Sequence, residues 1–145
     1  MDLNLINPDE HIEIPRRLQL GSKIISDTKS YEKLTPKEII AYSSQVGASK
    51  IALLLGYDNL KENYYNFGFS KPISINFPSS AFGLINAKDN ISDRELATLG
   101  YGYGFTVSPF QITTAYSVFA NRGILKDFKL IMDDEVTSKR VITAV

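Results

Sequence analysis

The chain has 145 residues, 43% of them apolar, which is enough to close about one hydrophobic core. Its 16 basic and 16 acidic side chains balance, so no overall field draws it to nucleic acid. It contains no cysteine, which excludes disulfides, thiol nucleophiles and thiolate metal sites. No apolar run approaches the roughly 20 residues that span a bilayer, so we expect no membrane contact by this segment.

The N-terminal third reads as an extended lead-in followed by a helix. Residues 1–34 are polar and mixed, with turn or extended dipeptides and no helical period. Thr35-Pro36-Lys37-Glu38 is a capping box with proline at the first helical position, and it predicts a helix that runs to about Gln45. The inward stripe of this helix would be Ile39, Ser43 and Val46, which puts a serine where an apolar residue is expected.

The middle of the chain predicts two further helices and a small strand. After Gly47, a second short helix is expected to end at Gly56. A third helix sets Leu60, Tyr64 and Phe67 on one face. Residues 73–77 alternate with period two between turn residues, which predicts a small strand or hairpin.

Two more capping boxes occur in the C-terminal half of the chain. Residues 92–95 predict a short helix through about Leu99, and residues 108–111 begin the clearest helix of all. The buried stripe of this last helix is predicted at the four apolar positions Ile112, Ala115, Tyr116 and Phe119. Gly123 would end the helix, and residues 124–132 and 135–145 read as strand or extended pieces joined at Asp133-Asp134. An alternative is that another helix begins at Asp134.

Few residues are candidates for a catalytic nucleophile or for a metal ligand. The sole histidine, His11, lies in the polar lead-in, and the carboxylates of residues 133–135 adjoin each other in a turn, so we expect no metal and no cofactor. Two serines have a lysine three residues on, in the pairs Ser26/Lys29 and Ser30/Lys33. Both pairs lie in a charged, solvated stretch where the ammonium stays protonated, so neither is expected to hold an activated nucleophile.

Two segments resemble motifs of one enzyme family. Tyr42-Ser43-Ser44-Gln45-Val46-Gly47-Ala48-Ser49-Lys50 resembles the second active-site motif of penicillin-binding transpeptidases, Ser-x-Asn followed by Val-Gly and a helix. Residues 101–112 resemble the family's Gly-Tyr-Gly, Val-Thr-Pro, Leu-Gln-Leu run, in family order and at a family-like separation. The likeness covers about residue 14 to the C-terminus and is closest to the division-specific class B enzymes.

The resemblance implies a fold and a division of the chain. The fold class would be mainly α with a small β component: the helical lobe of the α/β transpeptidase fold shared by penicillin-binding proteins and serine β-lactamases. Residues 1–34 would be a lead-in after the nucleophile helix, and residues 35–145 would be a partial transpeptidase domain. Of the family's three motifs, Ser-x-x-Lys, Ser-x-Asn and Lys-(Thr/Ser)-Gly, we expect only the middle one here, which would leave this segment inactive by itself.

The resemblance also implies site residues. Ser43 would relay a proton between nucleophile and leaving group, and Ser44 and Gln45 would contact the substrate. Gln45 stands where the family has asparagine, and its extra methylene moves the amide by about 1.5 Å. An alternative is that Ser43 and Gln45 merely end a helix and satisfy its carbonyls. Tyr101 and Tyr103 would line a groove for stem peptides, or else pack against the helix that follows.

Three functions stay open at this point. The first is part of a peptidoglycan D,D-transpeptidase that takes stem peptides and β-lactams, works in the periplasm on an inner-membrane anchor, and contacts division proteins. The second is a noncatalytic helical module that binds a division partner. The third, disfavoured by the residue 101–112 run, is a fragment of a β-lactamase-like hydrolase. An isolated lobe would expose apolar surface, so association or marginal stability is expected.

Overall fold

Helices dominate the part of the chain that the structure describes. The computed structural model describes residues 6–72, 83–85, 91–128 and 137–142. These residues hold five helices: α1 Pro36–Ala41, α2 Gln45–Leu55, α3 Tyr57–Asn66, α4 Asp93–Gly100 and α5 Pro109–Ala120. They also hold six short strands: β1 Ile12–Glu13, β2 Leu18–Leu20, β3 Lys23–Ile25, β4 Lys33–Leu34, β5 Ile124–Lys126 and β6 Ser138–Arg140.

The described residues form two compact units. The first unit comprises residues 6–60 and 91–104, and the second comprises residues 61–72, 83–85, 105–128 and 137–142. In the first unit β1 pairs with β4 and β2 pairs with β3, both antiparallel. In the second unit β5 and β6 pair antiparallel. The predicted boundary at residue 34, between a lead-in and a helical lobe, stays a prediction.

The core of the first unit joins the strands to the helices. The register places Ile12 opposite Leu34 and Leu18 opposite Ile25. One cluster of buried side chains draws on β3, β4, α1, α2, α4 and the residue after β1, and its members are Ile14, Ile25, Leu34, Ile39, Val46 and Ala97. The N-terminal strands are therefore packed against the same core as the helices.

Small residues let α2 and α4 approach closely. Ser49 and Ala97 are fully buried, and the Ser49 hydroxyl donates to the Ala97 carbonyl oxygen at 3.1 Å. A Cβ on Gly100 would meet the Ala48 carbonyl oxygen at 2.6 Å. Since the two helices touch through backbone and small side chains, bulkier residues at these positions would push them apart.

The three predicted capping boxes are confirmed. The side chains of Thr35, Ser92 and Ser108 each accept from the backbone N–H three residues on, and the glutamate or glutamine there reaches back to the cap. The predicted stop of the second helix at Gly56 is also confirmed, with a left-handed φ of 75°. Local hydrogen bonding of this kind depends on residues four positions apart or fewer, which is why the pattern identifies it.

The end of the first helix was predicted wrongly. The helix α1 ends at Ala41 instead of about Gln45, and α2 begins at Gln45, two residues before Gly47. Ser43 is exposed and lies outside any helix, so it is not part of a buried stripe. The reason is that Ser44 caps α2, which forces the backbone out of the helical conformation just before it.

The stripe predicted for α5 was also wrong at three of its four positions. Ile112, Tyr116 and Phe119 are exposed, and only Ala115 is buried. The buried face runs instead through Gln111, Ala115 and Val118, at spacings of four and three. The helix is rotated because Gln111 is held inside the unit by hydrogen bonds.

Gln111 is a buried polar hub of the second unit. It is 2% exposed, and its Oε1 accepts from the backbone N–H groups of Gly83 and Ser108, both at 3.0 Å. Its Nε2 donates to the carbonyl oxygens of Gly68 at 3.5 Å and Lys71 at 3.2 Å. One side chain thus satisfies polar groups from three segments of the chain.

The extended pieces expected after Gly123 are confirmed where described, because Ile124 pairs with Arg140 and Lys126 with Ser138. The strand or hairpin predicted at residues 73–77 and the turn at Asp133-Asp134 lie outside the described residues.

We expect Gln111→Ala to destabilise the protein by about 2 kcal/mol, because the buried N–H of Gly83 and the partly buried N–H of Ser108 lose their acceptor. Urea unfolding at neutral pH measures the change. Gln19→Ala is the matched control, since Gln19 is exposed on β2 and should change stability by less than about 0.5 kcal/mol. Equal unfolding free energies for the two variants would contradict the role given to Gln111.

Candidate active site

The candidate site lies at the junction between the end of α1 and the start of α2. Ser43 and Gln45 are exposed, while Ser44 between them is 2% exposed. Ser43 has a φ of 54°, a left-handed conformation that non-glycine residues seldom adopt. Gln45 is the first residue of α2. The junction therefore presents two polar side chains to solvent on either side of a buried one.

The buried residue of the junction caps the second helix. The Ser44 hydroxyl accepts from the Gly47 N–H at 2.9 Å and donates to Asp27 Oδ2 at 2.6 Å. Asp27 Oδ1 in turn accepts from the Val46 N–H at 3.1 Å. A carboxylate is favoured here because the first turn of a helix carries partial positive charge. Two of the free N–H groups of α2 are thereby satisfied.

Asp27 is a site residue that the sequence pattern did not identify. It follows β3 and stands 17 residues before Ser44. Capping signals are recognised within about four positions, so no local pattern connects Asp27 with α2. The contact joins the segment between β3 and β4 to the start of α2, so it is a tertiary feature.

Gly47 keeps the first turn of α2 tight. A Cβ at this position would meet Ile39 Cγ1 at 2.5 Å and Ser44 Oγ at 3.0 Å. Ile39 belongs to the core of the unit, so it cannot move freely aside. The Val-Gly pair after the motif therefore serves packing: Val46 enters the core, and Gly47 leaves room for α1.

A stacked aromatic pair flanks the junction on its other side. The rings of Tyr31 and Tyr42 lie 5.5 Å apart, centroid to centroid, and are nearly parallel at 4°. Tyr42 is the C-terminal cap of α1 and immediately precedes Ser43. Tyr31 is half-buried and packs against the core of the unit.

The two tyrosines of the Gly-Tyr-Gly run have different surroundings. Tyr101 is half-buried at the end of α4 and packs against the core cluster. Burial raises the pKa of its hydroxyl, and the nearby Tyr103 raises that pKa further. Tyr103 is 69% exposed, and its N–H donates to the Thr98 carbonyl oxygen at 3.0 Å. The Tyr101 side chain thus serves packing, whereas most of the Tyr103 side chain is exposed to solvent.

Neither serine–lysine pair lies on a helix. Ser26, Lys29, Ser30 and Lys33 are all exposed, and Ser26, Lys29 and Ser30 fall between β3 and β4. The helix face that would bring a hydroxyl and an amine together at a spacing of three is absent from this stretch.

Known proteins match the chain throughout. The family model of the penicillin binding protein transpeptidase domain matches residues 1–145. The chain belongs to this transpeptidase family. It is 33% identical over 118 residues to the peptidoglycan D,D-transpeptidases FtsI of Buchnera aphidicola (from Schizaphis graminum) and of Escherichia coli strain K12. Each match covers 81% of this chain, and 21% and 20% of the two relatives.

Solved transpeptidase domains share the fold. The transpeptidase domain of Burkholderia pseudomallei penicillin-binding protein 3 superposes with a TM-score of 0.87 at 29% identity, over 98% of this chain and 44% of that one. The predicted fold class, a helix-rich part of the transpeptidase fold with small sheets, is confirmed. The chain spans about a fifth of the length of the curated relatives that it matches.

The stability of α1, the helix that precedes the site, depends on pH through the carboxyl group of Glu38. Hydrogen bonds from the backbone N–H and the hydroxyl of Thr35 lower the pKa of this carboxyl below 4.5. The folded protein therefore binds the proton less tightly than the unfolded chain does. The stabilisation is present above the unfolded pKa and is lost as pH falls through the folded value.

We expect Glu38→Gln to lower stability at neutral pH and to flatten the loss of stability below about pH 4.5. Urea midpoints measured between neutral and acid pH test this. Glu10→Gln, a change at an exposed position outside any helix or strand, should leave the acid slope unchanged. Identical slopes for the two variants would contradict the link.

Proposed function

We propose that the chain forms the Ser-x-Asn side of a serine D,D-transpeptidase site that cross-links peptidoglycan stem peptides during cell division. The observation that carries the proposal is the junction at residues 43–45, where exposed Ser43 and Gln45 flank a buried cap. The proposal is supported by the resemblance of this segment to the family's second motif, in a chain that matches the transpeptidase model over residues 1–145.

Ser43 is the proposed proton relay. Acyl transfer takes a proton from the attacking serine and delivers one to the leaving amine, so a group that both donates and accepts is needed beside the nucleophile. A serine hydroxyl does both. Ser43 is exposed and lies on a turn held from both sides, which suits it to that task.

The neighbours of Ser43 have distinct proposed roles. Gln45 offers an amide to the substrate from the first turn of α2. The Ser44 hydroxyl is engaged with Asp27 and Gly47, so its part in substrate binding is to hold the turn in shape. Tyr103 lines the groove for the stem peptide, and Tyr101 supports it from the core.

The nucleophile of Ser-x-x-Lys and the Lys-(Thr/Ser)-Gly strand are supplied from outside these 145 residues. With all three motifs together, the site would take the D-Ala-D-Ala end of a stem peptide through a serine ester, and β-lactams would react as mimics. We place it on the periplasmic side of the inner membrane among division proteins. Among the residues that the structure describes, no helix has the length and apolarity needed to cross a membrane.

A second candidate function is a noncatalytic module that binds a division partner. The observation that favours it is the apolar face of α5, where Ile112, Tyr116 and Phe119 are 42%, 71% and 64% exposed. Exposed apolar side chains on one helix face are typical of surfaces that associate with another protein or another part of the same one.

The transpeptidase proposal is tested by acylation with a fluorescent penicillin, read by intact mass. The 145-residue chain alone should form no adduct, and the chain extended to a complete transpeptidase domain should form one. In that domain we expect Ser43→Ala to slow acylation by about 100-fold or more, since the proton relay is lost.

Ser43→Gly distinguishes the loss of the hydroxyl from a change in backbone conformation. Glycine relieves the left-handed strain at this position, so it should not destabilise the junction, yet it lacks the hydroxyl. Slow acylation in both variants supports the relay. Acylation at the unsubstituted rate in either variant, or an adduct on the chain alone, contradicts the proposal.

We expect Gln45→Asn to speed acylation of the complete domain by about three- to tenfold, because the shorter amide stands where a ligand hydrogen bond can form. The measurement is the second-order rate constant for the same penicillin. Gln19→Asn, at an exposed position on β2, is the control and should have no effect. A slower Gln45→Asn domain would show that the longer side chain is the adapted one.

A further inference from the structure

The conformation of Ser43 needs support from its surroundings. Its φ of 54° lies in the left-handed region, where a serine is strained. Such strain persists only where the neighbouring structure fixes the backbone. The residues on both sides of Ser43 are fixed, and both are fixed by the same short segment of the chain, residues 27–31.

Asp27 fixes the C-terminal side. Its two carboxylate oxygens bind different groups of the turn, the Ser44 hydroxyl at 2.6 Å and the Val46 N–H at 3.1 Å. Both bonds are charge-assisted, and the length of the first is typical of a hydroxyl–carboxylate pair. Ser44 and Val46 enclose Gln45, so the orientation of the Gln45 backbone follows from these two contacts.

Tyr31 fixes the N-terminal side. Its ring stacks on that of Tyr42 at 5.5 Å, and Tyr42 is bonded covalently to Ser43. Tyr31 itself packs against the core cluster of the unit. Tyr42 is 53% exposed, so the stacking holds a side chain that would otherwise be free in solvent.

We propose that residues 27–31 form a positioning clamp for the active-site turn, with Asp27 and Tyr31 as its two contacts. The proposal rests on the function proposed above for Ser43 and Gln45. Neither Asp27 nor Tyr31 is a catalytic residue, because each acts through a neighbour of the reacting group. The clamp explains why an exposed turn can hold a proton relay in one place without being buried itself.

A carboxylate is suited to this clamp in a way that an amide is not. Asp27 accepts two hydrogen bonds, one on each oxygen, from donors on two different residues. In Asp27→Asn the amide oxygen can accept from only one of these donors, so the Ser44 hydroxyl has to turn and accept from the NH₂ group. The substitution therefore removes the negative charge from both contacts, which weakens them, while it keeps the size of the side chain.

The test uses Asp27→Asn in the complete transpeptidase domain, with Asp9→Asn at an exposed position as the matched control. We expect hydrogen exchange at the Val46 and Gly47 amides to speed up by about tenfold or more, with no change in α4 or α5. The acylation rate constant for a penicillin, measured per folded active site, should fall about 10- to 100-fold.

Tyr31 supplies a second arm of the test. Tyr31→Phe keeps the ring and should acylate normally, whereas Tyr31→Ala removes the stacking and should lower the acylation rate constant. A purely structural role would reduce the amount of folded protein and leave the rate constant per folded site unchanged. That result, or unchanged exchange at Val46 and Gly47 in Asp27→Asn, overturns the clamp.

The outcomes for the clamp and for the function are distinguishable. If Ser43→Ala acylates slowly while Asp27→Asn behaves as Asp9→Asn does, the clamp is wrong and the proposed function stands. If Ser43→Ala acylates at the unsubstituted rate, both are wrong, because there is then no relay to position. Slow acylation in Ser43→Ala, Asp27→Asn and Tyr31→Ala together supports both.

Discussion

The start of α2 is held by the carboxylate of Asp27, which lies between β3 and β4 and accepts from the Ser44 hydroxyl and the Val46 N–H, and much of the first unit depends on that contact. Asp27 lies two residues after β3, whose last residue, Ile25, is packed into the same core as Val46 of the helix. Ser44 must be buried to share the carboxylate. Because Ser44 caps α2, α1 has to end before it, and Ser43 is left in a left-handed turn.

The packing around this contact leaves little freedom. Val46, one residue into the helix, is fully buried in the cluster that includes Ile25 and Ile39. Gly47 lies so close to Ile39 that a single added carbon would clash. On the next turn Ser49 binds the backbone of α4. An apolar core and a polar cap therefore fix the same helix end, and rigid support of this kind holds functional side chains more precisely than a loop does.

The sequence predicted the local features and missed those that depend on distant residues. Three capping boxes were identified because their hydrogen bonds join residues three apart. The end of α1 was misplaced because α1 has to end before Ser44, the cap of α2, and Ser44 is held there by Asp27, 17 residues earlier in the chain. In α5, apolar spacing suggested Ile112, Tyr116 and Phe119 as the buried face, whereas Gln111 turns the helix by binding backbone groups that no pattern reveals. Resemblance to a family identified the Ser43–Gln45 motif, since its composition alone is compatible with an ordinary helix end.

The contacts of Asp27 and Tyr31 let a three-residue motif keep its geometry when one of its members changes. If the position of Ser43 depended on the side chain at residue 45, replacing asparagine by glutamine would disturb the relay. In this structure the turn is held by Ser44, Asp27 and the Tyr31–Tyr42 stack, none of which involves the side chain of Gln45. Gln45 is exposed and can vary without loosening the backbone. Substitution at residue 45 therefore alters which ligands the site can bind, whereas substitution at Asp27 alters the position of the turn that carries Ser43.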